Sequence, residues 1–203
     1  MPVTISIAFH SGYGHTRALA DEVLDGAASV DGASAHLVDV TSMSDGDWEL
    51  LARSDAIIFG SPTYMGAVSG PFKTFMDQTS KIWAERGWQD KLAAGFTVSS
   101  SQAGDKFATL SQLATLAAQH GMLWVSLGLL PGNNSSKASI DDLNRIGGSL
   151  GAMAQANADE GGDVAPPLAD RRTAKLLGVR VAVLSKMFQP AVTLQSSSVL
   201  EES

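Results

Sequence analysis

The run Ala56-Ile57-Ile58-Phe59-Gly60 is apolar on both faces. A strand of that kind must be covered from two sides, which places it inside a parallel sheet with helices above and below. The rest of the chain supplies matching parts. Val3, Ile5, Ile7 and Phe9 alternate in a β-branched run that reads as a first strand, and Arg17 to Ala28 follows with Leu19, Val23 and Leu24 along one helical face. Ala35 to Val40 reads as a second strand, Asp45 to Arg53 as a short helix with an acidic start, and Pro71 to Trp83 as a helix with proline in its first turn. Leu92 to Val98 is a fourth strand, Phe107 to Gln119 a helix stopped by Gly121, Leu123 to Leu127 a fifth strand, and Ala169 to Lys186 a last helix. Strand and helix alternate through short connections, so the expected fold is α/β and doubly wound. The interval Leu129 to Pro167 carries no clear element, and a loop of that size is usually functional or structured by a partner.

With 203 residues the chain has room for one such domain, expected over 1–188, with a polar tail from Gln189 to Ser203 that should fray. It contains no cysteine, so disulfides, iron–sulfur clusters and thiolate chemistry are excluded, and any redox work must use a bound cofactor. The net charge of -7, with no basic stripe, argues against nucleic acid as a partner. No run is long and apolar enough to span a membrane, and the start carries no basic region followed by a cleavage site; a cytoplasmic location without membrane attachment is expected. The four histidines and the acidic residues lack metal-ligand spacing, so no metal site is expected.

In a doubly wound sheet, ligands bind beyond the carboxyl ends of the strands near the switch point, which turns attention to the loops after strands one, three and four. The first, His10-Ser11-Gly12-Tyr13-Gly14-His15-Thr16, opens a helix and combines hydroxyls with free backbone N–H groups, which suits a terminal phosphate. It lacks the lysine of a nucleotide triphosphatase loop, and Arg17 stands where a dinucleotide fingerprint needs its third glycine. A plain capped turn is the alternative for this loop alone. The second, Gly60 to Pro71, includes Pro62, Thr63, Tyr64, Met65 and Gly66; glycines permit close approach to a planar ligand, and an aromatic beside a methionine gives a polarizable wall. The third, Ser99-Ser100-Ser101-Gln102-Ala103-Gly104-Asp105, offers small residues and donors for the opposite side.

These loops, SGYGHT, the stretch DAIIFGSPTYMGAVSGPFKTFMDQT with Trp83 after it, Gln119-His120-Gly121-Met122, and Arg145-Ile146-Gly147-Gly148 through Ala158 together resemble the flavodoxin-like NAD(P)H:quinone oxidoreductases of the WrbA family and the related NADPH-dependent FMN reductases. The likeness reaches from about residue 3 to residue 187. It implies a flavodoxin-like sheet of five parallel strands in the order 2-1-3-4-5. FMN would be held through its phosphate by Ser11, Tyr13, Gly14, His15 and Thr16. Its ring would be lined by Pro62, Thr63, Tyr64, Met65 and Gly66 and bordered by Ser99, Ser100, Ser101 and Gly104. His120 would sit near the flavin, supplied in this family by a neighbouring subunit, and is the one catalytic candidate. NAD(P)H would be the electron donor, a quinone or similar small molecule the acceptor, and the assembly a homodimer or homotetramer. Three departures stand out: the family's insertion after the second strand is missing, Gly12 replaces a residue that is often bulky, and the third loop has serines where glycines are common. A one-electron flavodoxin-type carrier and a regulatory protein without turnover are the competing readings.

Overall fold

The computed structural model describes residues 2–188. The predicted tail, 189–203, lies outside the described residues. Strands β1 (Val3–Phe9), β2 (Ala33–Asp39), β3 (Ala56–Tyr64), β5 (Leu92–Ser99) and β6 (Leu123–Trp124) pair in the order β2-β1-β3-β5-β6 and are parallel throughout. This is the flavodoxin-like order, with two short strands added off that path: β4 (Ala67–Val68) beside β3 and β7 (Ala152–Gln155) beside β5.

Helices cover both faces, and the residues that drive them inward are those of the sequence pattern. On one face α1 (His15–Ala28) and α6 (Leu168–Phe188) bury Leu19, Ala20, Val23, Leu177, Val181 and Ala182 against Ile5, Ile7, Ile58 and Phe96. On the other, α2 (Asp45–Arg53), α3 (Gly70–Gln78) and α5 (Lys106–Gln119) bury Leu51, Phe72, Phe75, Leu110 and Leu113 against Ile57, Phe59 and Ala93. The capping chemistry is local. Ser44 and Asp47 form a reciprocal capping box on α2, Ser69 caps α3 ahead of Pro71, and Gly121 takes φ +69° beyond α5, where the Met122 N–H returns to the Ala117 carbonyl at 2.9 Å.

Four expectations need correction. Pro71 to Trp83 is not one helix but α3 followed by α4 (Ser80–Ala84); the break is at Thr79, whose hydroxyl bonds the Met76 carbonyl at 2.7 Å and His120 Nε2 at 2.9 Å. β3 runs on to Tyr64, because the chain turns back through Met65 and Gly66, φ +49° and +75°, into β4 as a tight hairpin. The expected fifth strand, Leu123 to Leu127, pairs only over Leu123–Trp124. Its place along β5 is then taken by β7, which pairs Phe96 with Ala152 through Ser99 with Gln155, so Leu129 to Pro167 does contain an element. The chain between β6 and β7 is pinned by buried Asn144, which donates to the carbonyls of Leu129 and Gly148 and through its N–H to Thr173.

Candidate functional site

The carboxyl ends of β1, β3 and β5 open on a cavity of about 360 Å³, a size suited to a small molecule. Tyr13, His15 and Thr16 from the first loop, Pro62, Thr63 and Tyr64 from the end of β3, and Val98, Ser99 and Ser100 from the end of β5 line it, with Ala156 and Ala158 closing the far side.

One end of this cavity has features that suit an anion. Gly14 precedes α1 at φ +88°, a left-handed conformation that a side chain disfavours, and it supplies no capping side chain. The first turn of α1 carries no acidic residue, so the positive end of the helix dipole and the N–H groups of His15 and Thr16 could meet an anion. Ser11 already turns its hydroxyl inward to accept the Arg17 N–H at 3.1 Å. His15 Nε2–H donates to the Glu160 carbonyl at 2.6 Å, and Gly162 packs against Gly14, so the chain after β7 folds over this corner.

The other end is walled by Pro62, Tyr64 and Val98 with a polar lining beneath. Thr63 is fixed by its hydroxyl to Thr97 and Thr109, both at 2.8 Å, which anchors the Pro62–Tyr64 wall to β5 and α5. Tyr64 and Tyr13 meet edge to face at 6.2 Å between ring centroids. Burial, with the Tyr13 phenol adding to it, pushes the Tyr64 phenol up, so it stays a neutral hydrogen-bond donor. Beneath the first loop, His10 Nδ1 lies 2.8 Å from the buried Ser69 hydroxyl, and Ser61 accepts the Ser69 N–H at 3.0 Å, which ties the first and second loops together. Burial pushes the His10 imidazole down, partly opposed by Asp39. Alternation of an anion seat with a flat apolar slot matches a phosphorylated aromatic cofactor.

Comparison with known proteins points the same way. Residues 6–134 match the family model described as NADPH-dependent FMN reductase. The chain belongs to this family. Among relatives, it is 45% identical over 179 residues to Flavodoxin FldP of Pseudomonas aeruginosa, covering 87% of this chain and 93% of that one. It is 30% identical over 203 residues to an NAD(P)H dehydrogenase (quinone) of Trichlorobacter lovleyi, covering 89% and 96% respectively. A solved WrbA-like flavodoxin of Agrobacterium tumefaciens superposes with a TM-score of 0.71 at 40% identity, covering 91% of this chain and 98% of that one. The chain is thus a flavodoxin-like oxidoreductase of an FMN-binding, NAD(P)H-dependent family.

For a member of the FMN reductase family, the residues present fit the cofactor: the carboxylate-free start of α1 would suit a phosphate, and the wall of Tyr64 and Pro62 would suit a planar ring. Of the residues expected there, Tyr13, His15, Thr16, Pro62, Thr63, Tyr64, Ser99 and Ser100 line it together. Ser11 and Gly14 flank it at the start of α1. Met65 and Gly66 form the hairpin tip, where the Met65 side chain is wholly exposed, and Ser101 and Gly104 lie behind Ser99 instead of on the cavity wall.

His120 is not part of this cavity within the chain. It ends α5, at the opposite edge of the sheet, where it is 5% exposed and packs at a tilt of 40° against Trp88 with 4.6 Å between ring centroids. The Thr79 hydroxyl donates to Met76, so it accepts from His120 Nε2–H, and the buried Nδ1 is left without a partner. Burial holds the imidazole below its ordinary value. His120 borders a shallow groove that also holds Trp83, itself 52% exposed.

The missing bulk at Gly12 has a structural counterpart. A Cβ there would run into the Tyr64 hydroxyl, so the tyrosine occupies the room that the glycine leaves. Sequence reasoning missed Val98, Ala156 and Ala158, apolar residues without a chemical signature; it considered Lys106 beside Lys73, Arg86 and Lys91 for an NADPH phosphate and assigned none of them, whereas Lys106 is buried.

Proposed function

We propose that this chain is an FMN-dependent reductase that passes two electrons from NAD(P)H to a quinone or a similar small acceptor, and that the cavity beyond β1, β3 and β5 is its cofactor site. The observation that carries this reading is the joining, in one cavity, of an anion seat at the start of α1 to an apolar slot walled by Tyr64, Pro62 and Val98. When bound, FMN supplies the electron chemistry, and the protein supplies binding, orientation and shielding.

Ser11, Gly14, His15 and Thr16 hold the phosphate, through hydroxyls and the N–H groups that open α1. Pro62, Thr63 and Tyr64 orient the ring from one side, and Ser99 and Ser100 offer polar groups from the other. Val98 and Ala156, both buried, exclude water from the inner wall. The exposed Tyr13 and the open mouth leave room for a donor and an acceptor to take turns, so no nucleophile or acid–base pair is required of the chain. A neighbouring copy would bring the groove at Trp83 and His120 up to this mouth, as the family resemblance implies, and a dimer or tetramer on a sizing column is the expected state.

The test is anaerobic stopped-flow with holoprotein: NADH or NADPH should bleach the flavin absorbance, and benzoquinone should restore it. Loss of either half at useful rates would remove the assignment. A second reading, a one-electron carrier, is favoured by the 45% identical relative named as a flavodoxin. Redox titration separates the two. A reductase takes up its electrons together, whereas a carrier takes them in two resolved steps and ignores NAD(P)H.

A further inference from the structure

Lys106 is the first residue of α5 and is 1% exposed, although it carries an ammonium and stands at the positive end of a helix dipole. Both circumstances are unfavourable, and the first turn contains no acidic residue to offset them. Its Nζ is not in an ion pair among the described residues; it donates to Ser99 Oγ at 2.9 Å, the Ser101 carbonyl at 3.0 Å and the Gln102 carbonyl at 2.7 Å. Three neutral oxygens of one loop therefore converge on one buried charge. From the other side Gln155 Nε2 draws in the Ser100 carbonyl at 2.9 Å. Since the trans peptide is planar, the N–H groups that follow the Ser101 and Gln102 carbonyls point away from Lys106. A buried cation whose partners all belong to a single loop does more for that loop than for the core.

We infer that Lys106 is a positioning residue of the cofactor site: by holding Ser99, Ser101 and Gln102 from beneath it fixes the wall against which the flavin ring lies, and its charge favours the bound flavin in its more negative, reduced form. This rests on the reading that the cavity seats FMN. Ser99 links the two, since it lines the cavity and its hydroxyl accepts from Lys106. The charged groups facing Lys106 are Asp170 of α6 and Arg145 of the β6–β7 connection, which are paired with each other, and Asp105 precedes it as the N-cap residue of α5. Burial, partly opposed by Asp170 and reinforced by Arg145, brings the ammonium down to about 8. The charge is then present at neutral pH and lost in mild alkali.

The experiment titrates FMN into apoprotein and measures the holoprotein's midpoint potential for the native chain, Lys106→Met and Lys106→Arg. Loss of a charged donor set should weaken FMN binding by about tenfold or more and move the potential more negative in Lys106→Met, with Lys106→Arg recovering much of both. Affinity of the native chain should fall as pH rises through about 8, where Lys106 loses its charge. Native affinity and potential in Lys106→Met would overturn the proposal. If Lys106→Met fails to fold by circular dichroism, the native chain decides: affinity that is flat from roughly pH 7 to 9.5 overturns it as well. A native chain that takes up no FMN would instead overturn the seating reading itself.

Discussion

In the proposed phosphate site Gly14 is the pivotal residue, because it precedes α1 at a φ of +88° and places no side chain there. Gly14→Ala should strain this turn by about 1–2 kcal/mol and weaken FMN binding more than it lowers the melting temperature, which parallel titration and thermal scans would show. His10 and His120 set a different dependence. Both are held below the ordinary 6.5 by burial, so the native chain keeps them neutral while the unfolded chain takes up protons first. Their contribution to stability is in place above about 6.5 and is lost as pH falls below it. Urea midpoints should therefore drop between roughly pH 7 and 5.5, and His120→Gln should flatten part of that slope. The hydroxyls and glycines of the three loops were legible in the sequence because phosphate and ring binding need those residue types near strand ends. The outward turn of Met65 was not, since one residue of positive φ decides it, nor was the burial of Lys106, since a lysine at a helix start reads as solvated.

At the scale of elements, α1 and α6 approach until their backbones touch: a Cβ on Gly26 would run into the Lys175 carbonyl, and one on Gly178 into the Val23 carbonyl. Overpacking of this kind costs about 1–3 kcal/mol, so Gly178→Ala should lower the urea midpoint even though alanine is the better helix former. Between α6 and β7, Asp170 is bound by Arg145 through two contacts of 2.8 Å and accepts the Gln155 N–H at 2.9 Å, with side chains 1% and 10% exposed. Asp170→Ala leaves a buried guanidinium unpaired and should cost about 3–5 kcal/mol, with hydrogen exchange rising first at Ala152–Gln155. Sequence patterning exposed the long strands and helices but not β7, because Ala-Met-Ala-Gln has neither the length nor the alternation of a recognisable strand. The strand exists through pairing with β5, a partner more than 50 residues earlier in the chain. The split of α3 from α4 was equally hidden: it depends on Thr79 meeting a histidine from another helix.

Across the whole molecule, the sheet order and the two helical layers bring three loops far apart in sequence to one edge, where they line one cavity. Among the described residues no helix is long and apolar enough to cross a membrane, and no group of acidic, histidine or cysteine side chains is arranged to hold a metal. Reductases and carriers share this sheet and differ in what reaches its mouth. The seat itself is open to a direct measurement: fluorescence titration of apoprotein with FMN and, separately, with riboflavin, which differs only by the phosphate. Several charge-assisted bonds at the start of α1 predict that FMN binds at least ~100-fold more tightly. Equal affinity for the two would contradict the placement of the phosphate at Ser11–Thr16, and with it the orientation of the ring against Tyr64.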